Sequence, residues 1–132
     1  MGLLLALQSA APADVRILPA PLHVRFSPTR QLQPDIIVVP PGPTTPKLDK
    51  PPLLVVEMLS PSTRATDLTL KRHVFEQAGV PSYWLLDTEV PSLAVLELVD
   101  GAYIQIATAS GADRLVIERP FPLTVVPADL MR

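Results

Sequence analysis

Cysteine is absent from all 132 residues, which removes disulfides, thiolate metal sites and cysteine nucleophiles and suits a reducing cytoplasm. Aromatic residues are scarce at 5 %, so a core has to be built from Val, Leu and Ile, and the Val and Ile clusters favour strands. The net charge of -2 gives no broad basic field that would advertise nucleic acid; such binding would need a local patch of Arg and Lys. Long apolar runs are lacking as well. The opening "MGLLLAL" has no preceding positive charge and is far too short to span a bilayer, so neither a membrane helix nor a signal peptide is expected. Ala6 stands where a myristoylation signal wants Ser or Thr. No Gly-x-Ser-x-Gly and no Walker-type glycine loop occurs, and His23 and His73 have no metal-ligand spacing, so a satisfied surface or core role is expected for each.

What the chain does hold is a high apolar content, 48 % against 18 % charged, in a length that suits one small domain. Its 17 prolines punctuate the elements. Residues 3–10 read as a short helix without a clear N-cap. In "VRILPAPLHVRFSP" the second half alternates, with Leu22, Val24 and Phe26 on one face against His23 and Arg25, the pattern of a half-buried strand. After the turn-like run Ser27 to Arg30, Ile36 to Val39 form a second strand, opened by Pro34-Asp35. Residues 40–52 carry most of the loop signals. Leu53 to Leu59 read as a central strand, followed by a helix from about Asp67 to Ala78, with Thr66 as N-cap, Gly79 as the residue past its end and Pro81 preventing continuation. Strands at 82–87, 93–98 and 102–107 follow, the last two joined by the hairpin signal Asp100-Gly101. Shorter candidates lie at 114–118 and 123–126. The order, three strands, a helix and more strands, predicts an α/β or α+β layer architecture with the helix on one sheet face.

One residue breaks the apolar pattern. Glu57 interrupts "LLVVEML", sharing a strand face with Val55 and Leu59 while Leu54, Val56 and Met58 line the other. A buried carboxylate without a partner costs several kcal/mol or takes up a proton, so a cation, a metal or hydrogen-bond donors should stand beside it. Asp35, at the start of the preceding strand, can converge with Glu57 on a hard divalent cation, although Pro-Asp is also an ordinary turn opener. Asp67 and Lys71 lie four apart on the following helix, a spacing that by itself reads first as an exposed ion pair.

Together, "QPDIIVV", "PPLLVVEMLSPST" and the "D…K…AGVPSYW" stretch resemble the Uma-type family of the PD-(D/E)XK, restriction-endonuclease-like superfamily, over a span from about residue 15 to the C-terminus. The superfamily places a lysine two residues after the second carboxylate; here that position is Leu59, and the resemblance implies that Lys71, on the helix, takes the part. It further implies an α/β fold, a restriction-endonuclease-like mixed β-sheet flanked by helices with extra C-terminal β-hairpins, as a single nuclease-like domain over 1–132 from which the family's N-terminal helix and strand are missing. By the same resemblance Asp35 and Glu57 bind Mg²⁺ or Mn²⁺, with a backbone carbonyl near Met58; Lys71 completes the catalytic set and Asp67 supports the lysine. Arg30, Arg64 and Arg72 are candidate phosphate contacts, and Phe75 stands where the family often has Tyr. The implied function is a cytoplasmic, metal-dependent endonuclease hydrolysing DNA phosphodiester bonds. The alternative is a catalytically inactive nuclease-fold module for nucleic-acid or protein interaction, for instance through a homodimer. In a third, purely structural reading, Glu57 and Lys71 form a buried ion pair.

Overall fold

The structure, a computed structural model, describes residues 2–19, 24–27, 30–32, 35–40, 52–59 and 66–131. Helix α1 (Gly2–Ala10) is followed by strands β1 (Arg16–Pro19), β2 (Val24–Ser27), β3 (Arg30–Leu32), β4 (Ile36–Val39) and β5 (Leu54–Leu59). Helix α2 (Thr66–Ala78) leads into β6 (Ser82–Asp87), β7 (Ser92–Val99), β8 (Ala102–Ser110), β9 (Leu115–Ile117) and β10 (Leu123–Val125), and a short 3-10 helix covers Pro127–Met131. Six strands form one sheet in the order β1-β4-β5-β6-β7-β8. Its neighbours are antiparallel except β5 and β6, which run parallel. Parallel neighbours need a crossover of a dozen or more residues, and α2 supplies it. The fold is therefore the mixed α/β sheet flanked by helices that the resemblance implied.

Side-chain alternation sends each strand into two cores. Ile36, Val38, Leu54, Val56, Trp84 and Leu86 pack with Leu3 and Leu7 of α1 and with the β9–β10 hairpin. Ile37, Val39, Val55 and Tyr83 pack on the other face with Phe75 of α2, Val80, Leu96 and Tyr103. Because β4 is covered on both sides, all four of its residues are buried, which explains why "IIVV" is a continuous apolar run and not an alternating one. On the α1 face the chain approaches itself closely: a Cβ on Gly2 would meet the Leu130 Cα at 2.8 Å, so only glycine lets α1 lie against the 3-10 helix.

Local chemistry ends the elements where expected. At the end of α2, Val80 N donates to Phe75 O at 3.2 Å and Gly79 N donates to Glu76 O at 3.2 Å. Gly79 holds a φ of 78°. This pair of bonds, with buried Val80 and Phe75 sharing one core, is the Schellman arrangement that a C′ glycine permits. Asp100 and Gly101, at φ 53° and 84°, make the two-residue turn between β7 and β8.

The N-terminal third departs from expectation. One half-buried strand was anticipated between residues 15 and 28, and the structure has two. β1 pairs with β4 at the edge of the main sheet, whereas β2 pairs with β3 in a separate two-stranded ribbon. β1 is four residues long and ends in proline, which is tolerated at a sheet edge and carries almost no periodic signal. β3, "RQL", has no strand signature; its pairing with β2 is tertiary. β8 also runs three residues further than predicted, because a bulge between Val95 and Leu96 lets the ladder continue past the irregularity. Residues 41–51 of the anticipated loop, the Pro28-Thr29 turn, Pro34 and Leu22 lie outside the described residues, as do the side chains of Val24, Phe26 and Thr66.

Phe75 is fully buried and meets Tyr83 edge-on at 5.3 Å between ring centroids. Phe75→Ala should destabilise the fold by about 3–5 kcal/mol through loss of burial and the cavity left behind; chemical denaturation followed by circular dichroism measures it.

Candidate active site

The site forms where β5 leaves the core. Burial along β5 is complete from Leu54 to Glu57 and falls at Met58 and Leu59, so Glu57 is the last buried residue of the strand, with 3 % exposure. The β4–β5 register pairs Ile36 with Val56 and Ile37 with Val55. Continued by one step, it sets Asp35 opposite Glu57, and cross-strand partners share a face. The Asp35 Oδ2 accepts a hydrogen bond from Met58 N at 2.7 Å, which ties the carboxylate to the strand that carries Glu57.

Glu57 faces the α2 side together with Val55, as the alternation predicts. From α2, Lys71 reaches back over the strand end, and its Nζ lies 3.2 Å from Glu57 Oε2. The other carboxylate oxygen, Oε1, is buried and has no hydrogen-bond partner. Burial pushes the Glu57 carboxyl up from 4.5 to about 7; Lys71 pulls it down and the Asp35 carboxylate pushes it up. Removal from water thus outweighs one lysine while a second negative charge faces the group.

Asp35, Glu57 and Lys71, the three residues singled out as catalytic, are therefore brought together from the residue before β4, from β5 and from α2. Asp67 lies one turn before Lys71 on α2, and its side chain is outside the described residues. Arg64 is outside them altogether; Arg30 is in β3, and its side chain too is outside. His23 is likewise outside, and His73 is on the exposed side of α2. Arg72, half-exposed, reaches the sheet edge: its Nη2 donates to the Tyr103 backbone carbonyl at 2.7 Å, and its Nε lies 3.5 Å from Glu76. Glu76 Oε2 in turn accepts from Tyr103 N at 2.9 Å. Sequence reading missed this set. The four-residue spacing of Arg72 and Glu76 was its one available signal, and Tyr103 gave none.

Among the described residues no three His, Cys, Asp or Glu side chains converge on one point. Asp35 and Glu57 still offer the donor set of a hard cation, which takes carboxylate oxygens and keeps several waters. The unpartnered buried Oε1 of Glu57 is the group such an ion would satisfy, so the residues present fit Mg²⁺ or Mn²⁺.

The raised Glu57 value carries a pH signature for the metal-free protein. Between about pH 4.5 and 7 the folded chain holds a proton that the unfolded chain has released. Stability should therefore fall as pH rises through that window and level off above it. Glu57→Gln has no such proton to lose, so the stability difference between wild type and variant should change across pH 4.5–7 in urea titrations; a constant difference would contradict the burial argument.

No curated protein matches the chain. Among solved structures, the crystal structure of a "putative nuclease belonging to DUF820" from Anabaena variabilis ATCC 29413 superimposes with a TM-score of 0.72 at 19 % identity, covering 98 % of this chain and 75 % of that one. At that identity the likeness is one of fold. A family model, Uma2, described as "Putative restriction endonuclease", matches residues 2–129, a span that takes in α1 and begins earlier than the resemblance read from residue 15. With the sheet, both helices and the Asp35–Glu57–Lys71 cluster all inside that match, the chain belongs to the Uma2 "Putative restriction endonuclease" family.

Proposed function

We propose that this protein is a metal-dependent endonuclease that hydrolyses DNA phosphodiester bonds in the cytoplasm. The observation that carries the reading is the buried, unpartnered Oε1 of Glu57, set beside a second carboxylate and a lysine. Buried polar atoms are ordinarily hydrogen-bonded, so a buried carboxylate oxygen without a donor invites a cation, and a purely structural site would gain little by facing that carboxylate with Asp35.

In this reading Asp35 and Glu57 hold a Mg²⁺ or Mn²⁺ ion. When bound, such an ion supplies water activation and charge neutralisation at a phosphodiester. The chain's own residues do the rest. Met58 N–H fixes the Asp35 carboxylate through Oδ2. Lys71 Nζ, three-donor and only partly exposed, favours the ionised form of Glu57 and stands ready to donate to a phosphoryl oxygen, where charge develops. Leu59, in place of the superfamily's lysine, leaves this task to α2.

A second reading, in which Glu57 and Lys71 form a purely structural ion pair, has its own observation in their 3.2 Å contact. Breaking a buried pair is costly with or without a metal. Calorimetric titration of Mn²⁺ into the folded chain separates the two. Wild type should take up the ion and nick plasmid DNA, and Glu57→Gln should do neither while keeping its circular dichroism spectrum. Lys71→Ala should keep ion uptake and lose roughly a hundredfold to a thousandfold in nicking rate. A folded wild type that takes up no Mn²⁺ yet retains DNA would instead identify the inactive interaction module.

A further inference from the structure

β8 is the last strand of the sheet, so one row of its backbone groups faces away from β7. Such groups usually meet water or a covering element. Tyr103, paired with Leu98 on β7, is an exception in kind: both its outward groups are taken by side chains of one helix. Its N–H donates to Glu76 Oε2 at 2.9 Å, its carbonyl accepts from Arg72 Nη2 at 2.7 Å, and the two side chains are themselves 3.5 Å apart. The Arg72–Glu76 pair thus presents an acceptor and a donor to Tyr103 much as a neighbouring strand would. A third bond, from the Tyr103 hydroxyl to Val80 O at 2.8 Å, holds the chain just past the end of α2.

We propose that Arg72 and Glu76 are positioning residues for Lys71: their grip on Tyr103 sets the rotation and depth of α2 on the sheet and so aims the lysine at Glu57. Apolar burial of Phe75 holds α2 against the sheet but is non-directional. Hydrogen bonds supply the direction. Lys71 immediately precedes Arg72, and a point on a helix surface about 5–6 Å from the axis moves about 2 Å when the helix turns by roughly 20°. A displacement of that size exceeds the few tenths of an ångström over which the 3.2 Å contact of Lys71 with Glu57 persists, so the lysine would have to leave its present rotamer to keep it. Arg72 in this role reaches the edge of the sheet, and a phosphate is not needed to explain its placement.

The part of this inference that concerns turnover rests on the nuclease reading; the structural part does not, and the test keeps them apart. In metal-free protein, the ¹H–¹⁵N signal of the Lys71 ammonium reports its ion pair through protection from solvent exchange. Arg72→Met should leave the fold intact and speed that exchange about tenfold, as the Lys71–Glu57 contact is lost, with Arg72→Lys restoring part of the protection. If Arg72→Met does not fold, Glu76→Met, which removes the acceptor for Tyr103 N–H, carries the same readout. Unchanged Lys71 exchange in a folded variant would overturn the proposal and leave the pair as a cover for the sheet edge. In plasmid nicking, Arg72→Met should lower kcat with little change in KM. A raised KM with kcat intact would mark Arg72 as a DNA contact and also overturn it. A wild type that nicks nothing would refute the nuclease reading while the exchange measurement still decides the clamp.

Discussion

The end of the sheet where β5 leaves the core is organised around one carboxylate almost wholly removed from water. Glu57 has 3 % exposure, and the strand that carries it is apolar on both faces. Desolvation favours the protonated acid, Lys71 favours the ionised one, and Asp35 opposes ionisation again. The balance leaves the group near neutrality, able to change its charge with a modest change in surroundings. That poise depends on register: the Ile36–Val56 pairing brings Asp35 opposite Glu57, and a slip by one residue would turn Glu57 to the other face of the sheet. Met58 N, bonded to Asp35, adds a lock at the point where the slip would begin.

The remaining architecture serves to hold that strand end and the helix above it. β5 and β6 are parallel, so the connection between them has to cross a sheet face, and α2 crosses on the face to which Glu57 points. Its C-terminal end is closed by the Gly79 turn and its middle is seated by Phe75. Its outer side is bonded to Tyr103 on β8. On the opposite face, α1 and the β9–β10 hairpin close the second core, so that β4 and β5 are covered on both sides. A central strand buried in this way is the environment that raises the cost of ionising Glu57. Fold and site are thus linked through desolvation as well as through geometry.

The strands with strong composition were legible in the chain: β4, β5, β6 and the Asp100-Gly101 hairpin all lie within a few residues of where their β-branched runs and turn signals put them. The anomaly of Glu57 was legible too, because a charge inside an apolar strand stands out against its period. β1 and β3 were not, since three or four residues give no periodicity and their pairing depends on partners distant in sequence. The Tyr103 clamp was hidden for the same reason. Its partners are 27 and 31 residues apart in sequence, and nothing local in "GAYIQ" marks a backbone that a helix will grip.

The sequence by itself determined the class of the fold, the placement of its central strands and helix, and the identity of the buried carboxylate, because propensity, period and turn chemistry act over a few neighbouring residues. Tertiary structure alone decided that Asp35 opposes Glu57, that Lys71 reaches Oε2 while Oε1 has no donor, and that Arg72 turns to the sheet edge. Those outcomes come from register, helix rotation and desolvation, and each exists only once strands far apart in the chain have packed together.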